Sequence, residues 1–207
     1  MTEAAILLAA GRSRRMGAFK PLLPFGDRTV SEACVENLRA AGVEEIIAVI
    51  GHRAAEMRER LCHLKIKFAV NDVAGSEMGV SIARGVEQVS EAARTLLVAL
   101  VDQPAIPPDV IRHLIAEQQR TGAPLVVPQW NGRGGHPVLI DLGYREQLLR
   151  LDAERGLRSL FDAHRDRVQR VAVDSPYVAR DMDVWEDYRA LHEEIIGAPP
   201  PPLTERS

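Results

Sequence analysis

Apolar runs alternate along this chain with stretches of helical periodicity, and the alternation persists almost to the C-terminus. Ala4–Ala9 is a short, continuously apolar run, the signature of a strand buried on both faces. Thr29–Ala41 has amphipathic spacing and stops at Gly42, a suitable C-terminal cap. Glu45–Ile50 reads as a second strand, Arg53–Leu61 as a helix, Lys65–Val70 as a strand, and Met78–Val89 as a helix opening from a Gly/Ser turn. Thr95–Val101 is the strongest apolar run of the middle of the chain. It ends abruptly at Asp102-Gln103-Pro104, and Pro107 and Pro108 open the next helix. Leu125–Val127 and Val138–Ile140 are predicted as short strands flanking the turn NGRGGHP. Helices over Leu142–Leu151 and Leu157–Ala163, a strand at Val168–Val173 and a helix from Val184 to Ile195 complete the pattern. This alternation predicts an α/β class protein: a mostly parallel sheet in a three-layer α/β/α arrangement. One domain over residues 1–195 is expected, followed by a flexible Pro-rich tail at 196–207 whose APPPP run favours extended backbone.

Composition sharpens this picture. With 207 residues, 46% hydrophobic and only 4% aromatic, the chain has an aliphatic core suited to a sheet covered on both faces. A formal net charge of −3 argues against generalised attraction to nucleic acid, so any basic cluster acts locally on a small anion. Cys34 and Cys62 form no CxxC pair and fit a reduced compartment. The N-terminal apolar run is too short to span a bilayer, and its arginines follow it where a secretory signal has basic residues in front. A cytoplasmic protein without nucleic-acid or membrane partners is expected.

The segment LLAAGRSRRMGAFK carries the most specific chemistry. An apolar strand opens there into a loop with Gly11, Arg12, Arg14, Arg15, Gly17 and Lys20. Glycines let backbone amides approach an anion, and guanidinium and ammonium groups supply full charges. The spacing is neither that of a Walker loop, since five residues separate Gly11 from Gly17 and Pro21 follows Lys20, nor that of a dinucleotide fingerprint, which needs a third glycine. Triphosphate binding is the reading that remains. In open parallel sheets ligands sit outside the carboxyl ends of strands. The loop after the first strand, the DQP segment and the turn at Asn71-Asp72 are therefore expected to share one crevice. His52 and Arg53, which open the helix after the second strand, read as surface residues.

The pattern LAAG, then RRMG, then Lys before a Leu-Leu-Pro stretch resembles the molybdenum cofactor nucleotidyltransferases, the MobA-like NTP transferases, with the cytidylyltransferase branch the nearest. The resemblance runs from about Ala4 to Leu191 and implies a Rossmann-like nucleotidyltransferase fold. It further implies transfer of CMP from CTP to a molybdopterin-type cofactor with release of pyrophosphate and with Mg²⁺; the alternatives are guanylyl transfer from GTP, or nucleotide transfer to another phosphorylated small molecule. By the same resemblance Lys20 neutralises charge at the α-phosphate, Arg15 holds the β- and γ-phosphates, and Asp102 is a metal ligand acting in catalysis. ARDMDVWEDY resembles the family's Asp-x-Asp-Thr-Pro-Glu-Asp segment, matching Asp181 and Asp183. Asp183 is the favoured second metal ligand, although Val184-Trp185 replaces the usual Thr-Pro.

The nucleotide site implied in this way comprises Leu8, Ala9, Ala10, Gly11, Arg15 and Lys20. It also includes Asn71, Gly79 and Ser81 from NDVAGSEMGVS, where Glu77 stands at a position usually held by glycine. GRGGHPV resembles the GHPV segment of the cytidylyltransferases, pointing to His136 and Pro137 as substrate contacts. ERGLRSL is similar to a further family segment and adds Arg158. Several of these residues have plainer readings: Asp102 and Asp183 as helix caps, Ser81 as a polar turn residue, His136 as an exposed histidine in a turn. A molybdenum hydroxylase receiving the product is an expected partner. A non-catalytic cofactor-binding chaperone is the reading from a different class.

Overall fold

The computed structural model describes residues 2–13, 15–73, 77–152 and 154–202. Met1, Arg14, Ala74, Gly75, Ser76, Ala153 and the residues beyond Pro202 lie outside the described residues. The first strand, β1 (Glu3–Ala9), leads through a 3-10 turn at Lys20–Leu22 into a small hairpin, β2 (Pro24–Phe25) and β3 (Arg28–Thr29). Then follow α1 (Val30–Ala40), β4 (Glu45–Ile50), α2 (Ala54–Leu61), β5 (Lys67–Val70), α3 (Met78–Val86), β6 (Thr95–Leu100) and α4 (Pro108–Thr121). The remainder is β7 (Leu125–Trp130), β8 (Arg133–Gly134), β9 (Val138–Asp141), α5 (Arg145–Leu149), α6 (Leu157–Ala163), β10 (Val168–Ala172) and α7 (Trp185–Ile196).

The main sheet has the order β10-β7-β9-β6-β1-β4-β5, with β8 paired to β7. Neighbours β6, β1, β4 and β5 are mutually parallel, as are β7 and β10. Strand β9 runs antiparallel to both β6 and β7, so the sheet is mixed but mostly parallel, as the alternation predicts. Successive side chains on β1 alternate between two cores. Ala5, Leu7 and Ala9 join Val30, Leu38, Met57, Leu114 and Tyr188 on the face covered by α1, α2, α4 and α7. Ala4 and Ile6 join Ile82, Val86, Leu148 and Leu160 on the face covered by α3, α5 and α6. These are the three layers. No helix among the described residues is long and apolar enough to cross a membrane.

Most predicted elements exist, with shifted ends. The helix expected from Thr29 starts at Val30 because Thr29 is its cap: its hydroxyl accepts from the Glu32 N–H at 3.3 Å while Glu32 accepts from the Thr29 N–H. The helix expected over Leu142–Leu151 is a 3-10 turn followed by one short helix ending at Leu149. The strand expected over Leu125–Val127 continues through Pro128 to Trp130, where it pairs with β8 and β10. The β2–β3 hairpin and β8 are too short for a periodicity argument to reveal.

Candidate active site

The carboxyl ends of β1, β4, β5 and β6 open onto a cavity of about 740 Å³, within the range of ligand sites. Leu8, Ala10, Gly11, Arg12, Ser13 and Lys20 line it from β1 and its loop, Asn71 and Ser81 from the β5–α3 region, and Asp102 from the end of β6. Three separated motifs thus meet in one crevice, where an open α/β sheet is expected to bind its ligand. His52 and Arg53 line the same cavity, correcting their reading as plain surface residues. Arg53 is held in place: its Nε donates to Glu56 Oε1 at 2.7 Å and its guanidinium lies 5.0 Å from the centroid of the Phe19 ring.

Gly51, at the end of β4, was missed in the sequence because it belongs to no motif. A Cβ there would stand 2.6 Å from the Asn71 carbonyl oxygen and 3.1 Å from Ala10, so only glycine lets three strand ends converge.

At one end of the cavity Lys20 joins two acidic segments. Its Nζ lies 3.1 Å from Asp183 Oδ1 and 3.5 Å from Asp102 Oδ2. Arg15 Nη2 reaches Asp183 Oδ2 at 3.0 Å. The cations differ in setting: the Lys20 side chain is 10% exposed and that of Arg15 is 73% exposed. Lys20 therefore acts in a medium of lower dielectric, where a charge on a phosphate is felt more strongly. Its backbone is fixed as well, its N–H donating to Ser13 Oγ at 3.1 Å.

Asp102 is buried enough that desolvation raises its pKa above the ordinary carboxylate range. The charges of Asp181 and Asp183 push in the same direction and Lys20 opposes them. Its Oδ1 is buried without a hydrogen-bond partner among the described residues. Such an atom in a cleft, on a group with a perturbed pKa, marks a functional site. The capping alternative for Asp183 is also answered: Asp187 Oδ2 accepts from the N–H groups of Asp183 and Val184 at 2.9 and 3.0 Å, so Asp183 is free to face Lys20. Asp181 faces Gln103 instead.

Other predicted residues stand elsewhere. Ala9 lies on the core side of β1, since alternation that turns Leu8 and Ala10 to the cavity turns Ala9 away. Asn71 and Ser81 line the cavity bonded to one another, Asn71 Nδ2 donating to Ser81 Oγ at 2.8 Å. Gly79 is not in the lining: it is buried against the Leu151–Asp152 segment, where a Cβ would meet the Asp152 carbonyl at 3.3 Å. The His136 side chain is half-buried, with Nδ1 3.1 Å from the Val98 carbonyl oxygen, and desolvation lowers its pKa. Pro137 is buried beside it, and Arg158 is exposed on α6; none of the three lines the cavity.

Residues 5–171 match the family described as the MobA-like NTP transferase domain. The chain belongs to that family. A curated relative from Mycobacterium avium, named "Probable molybdenum cofactor guanylyltransferase", is 30% identical over 201 residues, covering 92% of this chain and 95% of its own. Among solved structures, Rv0371c from Mycobacterium tuberculosis superposes with a TM-score of 0.83 at 29% identity, covering 93% of this chain and 98% of its own. The same protein has been solved in complex with manganese. A nucleotidyl transferase from Methanothermobacter has a TM-score of 0.82 at 27% identity, covering 95% of this chain and 98% of its own. The family resemblance and the Rossmann-like nucleotidyltransferase fold drawn from the first loop are both borne out.

Proposed function

We propose that this chain transfers a nucleoside monophosphate from a nucleoside triphosphate to the phosphate of a molybdopterin-type cofactor. An acceptor phosphate oxygen forms a bond to the α-phosphorus, the bond between the α- and β-phosphates breaks, and pyrophosphate leaves. The observation that carries the reading is the buried Lys20 lying between Asp102 and Asp183 at the end of a nucleotide-sized cavity. Charge accumulates on phosphate oxygens in such a transfer, and preorganised cations stabilise it. In this reading Lys20 supports the α-phosphate and Arg15 the departing pyrophosphate, while Gly11, Ala10, Asn71 and Ser81 shape the nucleotide wall.

Asp102 and Asp183 would hold Mg²⁺. The fit rests on hard oxygen donors, one of them the unpartnered buried Oδ1 of Asp102, and Mg²⁺ is commonly held by one or two carboxylates with phosphates and waters. Among the described residues no group of three or more His, Cys, Asp or Glu gathers to hold a metal. When bound, the ion would supply positive charge to the phosphate oxygens. That the tuberculosis protein has been solved in complex with manganese supports a divalent ion for this chain.

CTP is the proposed donor, on the resemblance of LAAG and GHPV to the cytidylyltransferase branch. GTP is the second reading, favoured by the name of the Mycobacterium avium relative. Pyrophosphate release with Mg²⁺, the molybdopterin-type cofactor and CTP or GTP in parallel tests both. Release with CTP alone supports the first, and release with GTP alone moves the assignment to guanylyl transfer. Nucleotide binding without release from either would make the protein a carrier.

A further inference from the structure

The two carboxylates that meet Lys20 come from segments far apart in sequence, and they are held together by contacts that involve neither carboxylate. Asp102 sits on the loop leaving β6, and Asp183 on the segment entering α7. The Met182 N–H donates to the Asp102 carbonyl at 3.1 Å. Next to it the Gln103 side chain, only 4% exposed, reaches across with its Nε2, donating to Asp181 Oδ1 at 2.7 Å and to the Val178 carbonyl at 3.3 Å. On the opposite side Asn37 Nδ2 of α1 donates to the Pro104 carbonyl at 2.8 Å, so the DQP loop is clasped from both flanks.

The chemistry of Gln103 suits this task. An amide nitrogen offers two donors, and here one carboxylate and one carbonyl stand where those donors point. A bond to a charged acceptor is stronger than one between neutral groups. A glutamate at the same position would face Asp181 with like charge, and an apolar chain would leave the Val178 carbonyl with one donor fewer. Gln103 itself does not line the nucleotide cavity, so its effect on phosphate chemistry passes through Asp102 and Asp183.

We propose that Gln103 is a positioning residue that locks the Asp183 segment to the end of β6, so that Asp102 and Asp183 present one preformed site. The proposal rests on the nucleotidyl-transfer reading of that site. Its test needs no acceptor and no turnover. Mn²⁺ binding is followed by loss of the free-ion electron paramagnetic resonance signal in the presence of α,β-methylene CTP or GTP. The parent is compared with Gln103→Met, Asp181→Ala and the double variant.

Residues that orient ligand-bearing groups typically change metal affinity by about tenfold or more. Each single variant is expected to weaken Mn²⁺ binding by that factor, with the nucleotide's metal-free affinity unchanged. The double variant is expected to be no weaker than the worse single, as two ends of one bond require. Asp181 is exposed, so Asp181→Ala tests the bond without disturbing the core if Gln103→Met folds poorly. Parent-like Mn²⁺ affinity in Asp181→Ala, or additive losses, would overturn the positioning role while leaving the site intact. A parent protein that binds no Mn²⁺ with either nucleotide would overturn the reading on which the role rests.

Discussion

The sheet has two unlike halves. In the half formed by β6, β1, β4 and β5 every neighbour is parallel, and the strand ends converge on the nucleotide-sized cavity through loops whose motifs are continuous in sequence. In the half formed by β9, β7 and β10 one strand is reversed and the connections are irregular. This half presents Asp183 from a segment that reaches back to Lys20. A parallel unit places several loops at one edge of the sheet by construction, which lets chemistry be written as local motifs. The mixed half delivers its carboxylate through packing. The candidate site spans the two, and at its centre Lys20 touches a carboxylate from each.

The two halves depend on one another most at the charges that meet on Lys20. Lys20→Met should reduce pyrophosphate release by about 10²–10³-fold, the range seen when a preorganised electrostatic contact is removed. Asp102→Asn should reduce it comparably, because the amide keeps the shape and loses the charge, and full turnover in that variant would rule out Asp102 as a metal ligand. Steady-state kinetics with saturating nucleotide read both.

Next in size are two glycines, one in each half. Gly135→Ala would place a Cβ 1.8 Å from the Val178 carbonyl oxygen. A loss of about 3 kcal/mol is expected from overpacking against backbone, or a fall in Tm of roughly 6–12 °C for a chain of this size. Gly51→Ala meets the Asn71 carbonyl at 2.6 Å and should cost about 2 kcal/mol. It should also weaken nucleotide binding, since three cavity walls meet there, whereas Gly135→Ala should act on stability first. Calorimetric melting beside nucleotide titration separates the two.

A smaller effect distinguishes the two cations. Arg15 is mostly solvated, so Arg15→Ala should cost about tenfold or less, and the deficit should shrink as salt rises and screens the exposed guanidinium in the parent. The Lys20→Met deficit should be much less sensitive to salt.

The smallest effect is on the pH dependence of stability. Burial raises the Asp102 pKa in the folded state, so its favourable contribution is complete below the unfolded pKa and is lost as pH rises through the raised folded value. Asp102→Asn removes that dependence, and Lys20 keeps Asp183 as its partner. The melting temperature of the variant relative to the parent should therefore climb with pH across that window, reaching parity or better at neutral pH. A variant melting temperature that falls relative to the parent as pH rises would show that Asp102 is stabilised, not strained, by its surroundings.

Some of this was open to reading from residues alone. The apolar runs of β1, β4 and β6 are buried on both faces, which leaves their composition little freedom, and Asp102 directly after such a run is carried to the sheet edge. Arg15 and Lys20 sit in a loop whose glycines and cations have few other uses. His52 and Arg53 were misplaced because a polar pair at a helix start looks alike on an open surface and on a cavity wall. Gly79 was assigned to the nucleotide from the likeness of NDVAGSEMGVS to a family loop, yet it packs against Leu151 and Asp152. His136 was read as a substrate contact, with an exposed turn histidine as the plainer view, and its half-buried contact with the Val98 carbonyl depends on packing across the sheet.

By itself the sequence determined the layer architecture, the strand ends that face a ligand and the cations available to it, because periodicity, burial and loop composition act over a few residues at a time. The tertiary structure alone decided the reversal of β9 and the pairing of Asp181 with Gln103. It also decided the roles of Gly51 and Gln103. Each depends on an approach between segments far apart in the chain, where a carbonyl 2.6 Å from a missing Cβ or an amide 2.7 Å from a carboxylate leaves no periodic trace.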